Sequence, residues 1–468
     1  MIAYLVVALA CGALALTALS HLTLYRWALR VSPALARHRF AWAAAVVALF
    51  LWPLARLLVR ASGGPMPLRA FAQFGSTWHL FVVLAMAPYG LAWLALAGGR
   101  RAARLLARRR DDAGAAPLAP RDAAPPSTSA PRRAEPPSAS APRRAEPLPG
   151  PSPPGPSPPQ PVPPPTPAPS RPAPPSPGEA TSPPARPVGA LSRRRFVEAA
   201  GGAGALAASA GVMGWGMRVS RFDWRVDEVQ VRLPRLPRAL DGFTIAQISD
   251  LHVGPLWRER ELRQGLALVA GLRPDLVVVT GDIIDYDPSY VPLAARLLGS
   301  LSPREGVAFV PGNHDHYAGL RSVVEGLSSA GLDALVNRGK IIAPNDGGGF
   351  ALLGVDDLTG GRRGLGPDLE RARAHLPAGL ATVLLAHQPD FFYRTLRAGG
   401  IDLQLSGHTH GGQINPGFVP ARLVYEFVAG RYERQSSVLY VNRGFGTVGP
   451  PMRAGARPEL TKLVLLAG

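Results

Sequence analysis

The sequence predicts an α/β domain over residues 218–468, carried behind an N-terminal helical membrane region. Three observations lead there. After residue 218, short Val/Ile/Leu-rich runs alternate with helical stretches at 258–271, 289–300 and 318–330. Three apolar stretches open the chain, each of about 20 residues, the length a helix needs to cross a bilayer. Between the two parts lies a run dominated by proline, alanine, serine and arginine, which cannot bury a core.

The apolar stretches cover roughly 2–25, 40–59 and 78–98, and residues 1–99 read as a region with three transmembrane helices. Arg26, Arg30, Arg37 and Arg39 fall between the first two, and Arg100, Arg101 and Arg104 follow the third. Cytoplasmic loops carry the excess of basic residues, so the N-terminus is expected outside and Arg100 onward inside. Residues 100–191 are expected to be a basic, disordered linker, with "SAPRRAEPP" at 129–137 nearly copied at 140–148. The segment 192–217 begins Ser192-Arg193-Arg194-Arg195-Phe196-Val197 and continues as a Gly/Ala-rich apolar run. It resembles a twin-arginine export signal, which would bring in the twin-arginine translocation machinery; a fourth transmembrane helix fits as well. Both readings leave the arginines inside. The chain is thus expected to be a multi-pass cell-membrane protein with its C-terminal domain on the extracytoplasmic side.

The formal net charge of +19 suggests an anionic partner until the charges are located. From Phe243 to the end, 22 Lys+Arg face 21 Asp+Glu; the first 242 residues hold 29 against 11. The basicity belongs to the leader, so the bilayer is the expected partner and no nucleic acid is. Cys11 is the only cysteine, which excludes disulfides and thiolate metal sites.

Five segments share one plan: "FTIAQISDLH", "DLVVVTGDIID", "VAFVPGNHD", "TVLLAHQPD" and "LQLSGHTH". Each is an apolar strand followed by a small residue or turn, then Asp, Asn or His. Buried strands that end together deliver those residues to one sheet edge, where open α/β folds place their sites. Six of the ten histidines lie there: His252, His314, His316, His387, His408 and His410. With Asp250, Asp282 and Asn313 they are hard to explain as core, because buried imidazoles and carboxylates need partners. Two cations would supply them, and imidazole, carboxylate and amide oxygen suit Zn, Fe or Mn. His408 and His410 follow a strand-like run, and the two-residue period of an extended chain puts both rings on one side.

Residues from about 219 to 465 resemble the calcineurin-like metallophosphoesterases, and within them the YkuE-like and YaeI-like membrane-associated bacterial branch. The blocks "SDLHVG", "TGDIID", "GNHD", "AHQPD" and "SGHTHGGQ" stand in family order, followed by the tail "LYVNRGFGTVGPPMRAGARPEL". The resemblance implies a four-layer fold of two packed mixed β-sheets flanked by helices. It also implies a two-metal phosphoric ester hydrolase, acting on a diester or monoester, with lipid or envelope phosphoesters suggested by the tether. Asp250, His252 and His410 would hold the first ion, and Asn313, His387 and His408 the second. Asp282 would bridge them. His314 would act on the substrate, with Asp315 orienting its ring. Two such cations neutralise the charge on a phosphate ester and lower the pKa of a water between them. A non-catalytic ligand-binding membrane sensor is the alternative; it would be favoured by a missing bridging Asp or Asn, and both are present. A nuclease is disfavoured by the near-neutral domain. His316 is expected at the surface or against substrate. Asp285 and Asp287 are expected to shape their loop, and Arg453 to face phosphate or form an ion pair.

Overall fold

The computed structural model describes residues 2–61, 66–114, 192–257, 259–342, 348–363, 365–415 and 420–468. The linker expected at 100–191 lies outside them from residue 115 on. One compact unit comprises Met1–Gly98 and Leu191–Gly468, and a second comprises Gly99–Ala190.

The N-terminal part is helical: α1 (Ile2–Val31), α2 (Pro33–Arg37), α3 (Arg39–Ala61) and α4 (Met66–Gly114). Ser32 starts α2 by accepting from Leu35 N, a side-chain cap for a donor the helix leaves unpaired. α4 runs past the boundary expected at residue 99, because Arg100–Gly114 is rich in Ala, Leu and Arg, all strong helix formers. After the second unit comes α5 (Arg193–Arg218), capped by Ser192, whose side chain accepts from Arg195 N. Among the described residues two helical segments are long and apolar enough to cross a membrane, Thr77–Ala107 and Arg193–Phe222. α5 lies against α1 and α4. Trp27 Nε1 donates to Glu198 O (3.0 Å), and Ser209 Oγ donates to Phe81 O (3.0 Å). Leu206 packs on the cluster of Leu24, Val82, Ala85 and Met86.

The α/β domain begins with β1 (Arg225–Leu233), β2 (Phe243–Ile248), β3 (Leu276–Thr280), β4 (Val307–Val310) and β5 (Asp333–Ala334). It continues with β6 (Arg338–Ile342), β7 (Phe350–Gly354), β8 (Ala381–Leu385), β9 (Leu403–Ser406), β10 (Gly430–Arg434) and β11 (Ser437–Val441), and closes with β12 (Glu459–Ala467). Two six-stranded sheets result, in the orders β1-β12-β2-β3-β4-β5 and β10-β11-β9-β8-β7-β6. Both are mixed: β12 runs parallel to β1 and antiparallel to β2, while β10 and β6 are the antiparallel edges of the second sheet.

Strand alternation builds the layers. Phe243 and Ile245 of β2 face the second sheet, where Phe350 meets Phe243 edge-on at 5.3 Å. Ala246 and Ile248, one residue out of phase, face the other way, into a cluster with Leu262 and Val269 of α6 (Glu259–Gly271) and Leu297 of α7 (Val291–Leu298). Leu384 and Leu353 do the same on the outer face of the second sheet. This is the four-layer arrangement that the resemblance implies. Every residue of β3, β4, β8 and β9 is buried, as strands covered on both faces must be. Each buried Val or Leu contributes roughly 1.5–3 kcal/mol, so the strand frame that carries the site is also its most stable part.

Candidate metal centre

The five strands β2, β3, β4, β8 and β9 each end in one of the sequence blocks, and the ends meet where the two sheets face each other. The chain turns sharply there. Asp250, His252, Asp282, His408 and His410 all have φ between 49° and 74°, a left-handed backbone that only Gly, Asn, Asp and His visit with any frequency. Close approach requires small residues beside them. A Cβ on Gly312 would overlap Asp282 Oδ1, and one on Gly407 would overlap Asp250 Oδ2.

His408 and His410 reach the centre for a different reason than strand alternation. β9 stops at Ser406, and the two histidines are left-handed (φ 74° and 52°) on either side of Thr409 at φ −83°. A turn directs the two rings, each to a different side of the centre.

Three groups of side chains converge with their ligand atoms within 4.8 Å: Asp250/His252/His410, His252/Asp282/His314 and Asp282/His387/His408. The spacing of facing atoms is informative. His252 Nε2 lies 3.0 Å from His410 Nε2, and His408 Nδ1 lies 3.3 Å from His387 Nε2. His410 Nε2 is 3.4 Å from Asp250 Oδ1, while Asp282 Oδ2 is 3.3 Å from His387 Nε2 and 3.5 Å from His252 Nε2. Bonds of about 2.1 Å to a common ion put neighbouring ligand atoms about 3.0–3.4 Å apart, so these are the edges a coordination shell requires. Asn313 Oδ1 is buried with no hydrogen-bond partner. Buried acceptors left unpaired are costly, and a cation would satisfy this one. The donor set of imidazole, carboxylate and amide oxygen fits Mn, Fe or Zn.

Backbone contacts fix the ring tautomers. His387 Nδ1 meets Thr280 O at 2.8 Å and donates to it, which turns Nε2 toward Asp282. His314 Nδ1 likewise donates to Asp285 O (2.8 Å), and Asp285 Oδ1 lies 3.2 Å from the same nitrogen. His408 N donates to both Asp250 oxygens at 3.0 Å, and His314 N to Asp282 Oδ1 at 2.8 Å. Charge is distributed unevenly. Burial opposes ionisation of Asp282, but His387, His314 and His252 outweigh it and hold the carboxyl well below its usual range. Burial likewise opposes protonation of His314, and the charges of Asp282 and Asp285 overcome it and raise its pKa. Burial, with His252 and Arg453 beside it, keeps His410 well below the usual imidazole range, so its ring is neutral.

Eight of the nine predicted site residues therefore stand together: Asp250, His252, Asp282, Asn313, His314, His387, His408 and His410. Asp315 is the exception. Its carboxylate accepts from Gly312 N (2.9 Å), Ile284 N (2.9 Å) and Ile283 N (3.1 Å), so it staples two ligand loops and does not orient the His314 ring. Asp285, expected only to shape its loop, holds that ring. His316 is buried, not at the surface, with its Nε2 2.7 Å from Asp356 Oδ1. Arg453 is fully buried among backbone carbonyls and forms no ion pair among the described residues, whereas nearby Arg443 pairs with both Glu459 (3.1 Å) and Asp227 (2.6 Å). Tyr286 and Tyr317 flank His314, with ring centroids at 4.5 and 5.4 Å.

A two-sheet α/β domain whose strand ends gather His, Asp and Asn with ligand atoms at coordination spacing is a candidate metal-site protein. Comparisons with known proteins make the class specific. The family described as Calcineurin-like phosphoesterase matches residues 243–412. "Transmembrane protein with metallophosphoesterase domain" of Danio rerio is 36% identical over 249 residues, 52% of this chain and 57% of that protein. The chain thus spans little more than half of that relative's length. "Uncharacterized metallophosphoesterase YkuE" of Bacillus subtilis (strain 168) is 35% identical over 288 residues, 59% of this chain and 98% of that protein. Among solved structures, a dimetal phosphatase from Danio rerio aligns over 44% of this chain and 88% of that one, at 16% identity and a TM-score of 0.29. The chain belongs to the calcineurin-like metallophosphoesterase family.

Proposed function

We propose that the protein is a membrane-anchored, two-metal phosphoric ester hydrolase. The observation that carries this reading is Asp282 Oδ2, flanked by His387 Nε2 on one side and His252 Nε2 on the other. One carboxylate oxygen between two sets of imidazoles is what a bridged ion pair needs. Asp250, His252 and His410 would hold one ion, Asn313, His387 and His408 the other, and Asp282 would serve both. When bound, such a pair supplies Lewis acidity, neutralising phosphoryl oxygens and making water a competent nucleophile near neutral pH.

The chain's own residues do the rest. His314 has its Nδ1–H tied to Asp285 O, which leaves Nε2 to face the centre and the scissile ester. As an imidazolium it donates a proton to the departing alkoxide, a contribution of about 10²–10⁴-fold. Burial of the ligand set excludes bulk water, which strengthens these interactions.

The substrate is a phosphoric mono- or diester, and anchoring favours one held in the lipid or envelope phase. Membrane attachment is supported by the two long apolar helices and by relatives named as transmembrane proteins. We place the α/β domain on the extracytoplasmic side of a multi-pass protein, from the arginine distribution. The packing of α5 on α1 and α4 favours a fourth span over a signal that engages the twin-arginine machinery and is removed. Ser209, in the middle of α5, is buried with its Oγ donating to Phe81 O.

Purified full-length protein, loaded in turn with Mn²⁺, Zn²⁺ or Fe²⁺, is assayed against phosphomonoesters, phosphodiesters and phospholipids. Hydrolysis of at least one class, abolished in Asp282→Ala, is expected. Full activity with two bound ions in that variant would refute the assignment.

A further inference from the structure

The last turn of α5 abuts the metal centre through one loop. Arg453 N donates to Gly216 O (3.3 Å), across the seam between the helix and the loop Pro450–Arg453. The contact depends on glycine: a Cβ on Gly216 would come within 2.9 Å of Met452 Cε and 3.0 Å of Arg453 O. Just beyond the helix, Arg221 clamps the same loop, donating to Pro451 O (3.4 Å) and Leu256 O (2.6 Å).

From this seam the Arg453 side chain runs inward, and all five of its N–H donors meet backbone carbonyls. Nε donates to Gly446 O (2.9 Å), and one terminal nitrogen to Gly446 O (2.6 Å) and Gly444 O (2.9 Å). The other terminal nitrogen donates to His410 O and Ala456 O, both at 3.3 Å. The guanidinium also touches the His410 ring, 3.3 Å from Nδ1. The strand of glycines it grips lies under the opposite ligand: Gly446 N donates to Asp250 O (2.9 Å), and Phe445 N to Ser249 O (2.7 Å). Arg453 therefore ties together the backbone behind Asp250 and the turn that carries His410. Among the described residues, Arg453 makes no hydrogen bond to Asn313, His387 or His408.

A guanidinium buried without a hydrogen-bonded carboxylate is an expensive way to fill space. Apolar side chains of similar size usually serve stability as well or better. Its donors must therefore be valued for where they hold those carbonyls. We propose that Arg453 is a positioning residue for the ion site formed by Asp250, His252 and His410, and that α5 fixes it there through Gly216. The membrane helix is then part of the metal centre's support and not a detachable anchor. This rests on the two-ion reading above.

The test uses full-length protein in detergent, titrated with Mn²⁺ against a competing chelator. Wild type should bind two ions in resolvable phases; His410→Gln should weaken one phase and Asn313→Ala the other. Arg453→Met is expected to weaken the His410 phase about 10–100-fold, the scale for residues that orient metal ligands, and to spare the Asn313 phase. Arg453→Lys, which restores part of the donor set, should recover part of the loss. Gly216→Ala, in the membrane helix and in contact with no ligand, should weaken the same phase more mildly. Phases that are unchanged, or weakened equally, in the Arg453 variants overturn the proposal. A melting temperature in EDTA that falls in step with affinity assigns Arg453 to general stability and overturns it too. An unchanged His410 phase in Gly216→Ala overturns the role of α5. A wild type that binds fewer than two ions defeats the two-ion reading itself, whatever the variants do.

Discussion

Asp282→Asn, compared with His410→Gln, separates a bridging carboxylate from a ligand of one ion. Asn keeps the volume and an acceptor for His314 N, which Asp282 Oδ1 now holds at 2.8 Å, but removes the charge between His252 and His387. An ion present at 100 times its Kd stabilises the fold by about 2.7 kcal/mol. If loss of a ligand weakens binding about 100-fold, at the upper end of the scale known for residues around metal sites, only about 0.4 kcal/mol of that remains. On the two-ion reading Asp282 would border both ions, so its replacement should forfeit about 4.6 kcal/mol and that of His410 about half as much. At about 2–4 °C per kcal/mol for a domain of this size, the expected drops are about 9–18 °C and about 5–9 °C. The assay is thermal melting of the full-length protein in Mn²⁺ and in EDTA, followed by tryptophan fluorescence. The gaps between the three melting temperatures should narrow in EDTA, where Asp282→Asn still lacks the charge that pairs with His387 and His252. Equal drops for both variants would refute the bridge, and gaps undiminished in EDTA would show a purely structural role.

Three further outcomes are expected. His314→Ala should keep both ions while turnover of alkyl esters falls about 10²–10⁴-fold, and nitrophenyl esters, with good leaving groups, should suffer less; equal losses would argue against proton donation. Asp285→Asn should shift the alkaline limb of the pH–rate profile to lower pH. An acid is active only below its pKa, and burial opposes the elevation that Asp282 and Asp285 impose on His314, so removing one of those charges lowers it; an unmoved limb would separate Asp285 from His314. Glu259, held by Arg296 and Arg263, has its carboxyl lowered to about 2 from an ordinary value of 4.5. A lowered carboxyl contributes stability above the unfolded value and loses it as pH falls through the folded one. Urea midpoints of Glu259→Gln and wild type should thus differ modestly at pH 7, draw together as pH falls below about 4.5 and coincide only below about 2; a constant gap would contradict the linkage.

The inner strands were legible because burial on both faces leaves an unbroken apolar signature, as in Leu276–Thr280 and Ala381–Leu385. β10, with its "GRYER" sequence, carries no such mark, since an edge strand is exposed and paired on one side only. The pairing of β12 with β1 joins the two ends of the domain, and nothing local in either segment encodes it. Most of the site was legible for a related reason: ligands placed directly after buried strands have little freedom in where they arrive. Second contacts were not. Asp315 is adjacent to His314 and Asp285 is 29 residues away, yet the distant one holds its ring, because α8 (Asn313–Ala318) turns the adjacent carboxylate back toward its own first turn. His316 found Asp356 from 40 residues off in the same way.

The turn at His408 and His410 brings the two rings to the centre by a geometry other than the strand alternation that the sequence suggests. Alternation along a strand would bring the rings together at no conformational cost, whereas left-handed residues cost about 1–3 kcal/mol each and persist only where their surroundings over-determine them. Five of the seven candidate ligands are left-handed, so the centre must be held from outside the ions. The backbone supplies that restraint. Asp250 N donates to Gly281 O (2.9 Å), His252 N to Asp282 O (3.0 Å) and Gly407 N to His387 O (2.9 Å), so each ligand loop is bonded to the next. Asp315 and Arg453 add side-chain staples from opposite sides, one on the Asp282 and Asn313 loops and one on the Asp250 and His410 loops. Such a cradle keeps its shape when the ions leave. That is why removal of metal should lower the melting temperature of the domain without abolishing its fold, and why the differences between ligand variants should shrink in EDTA.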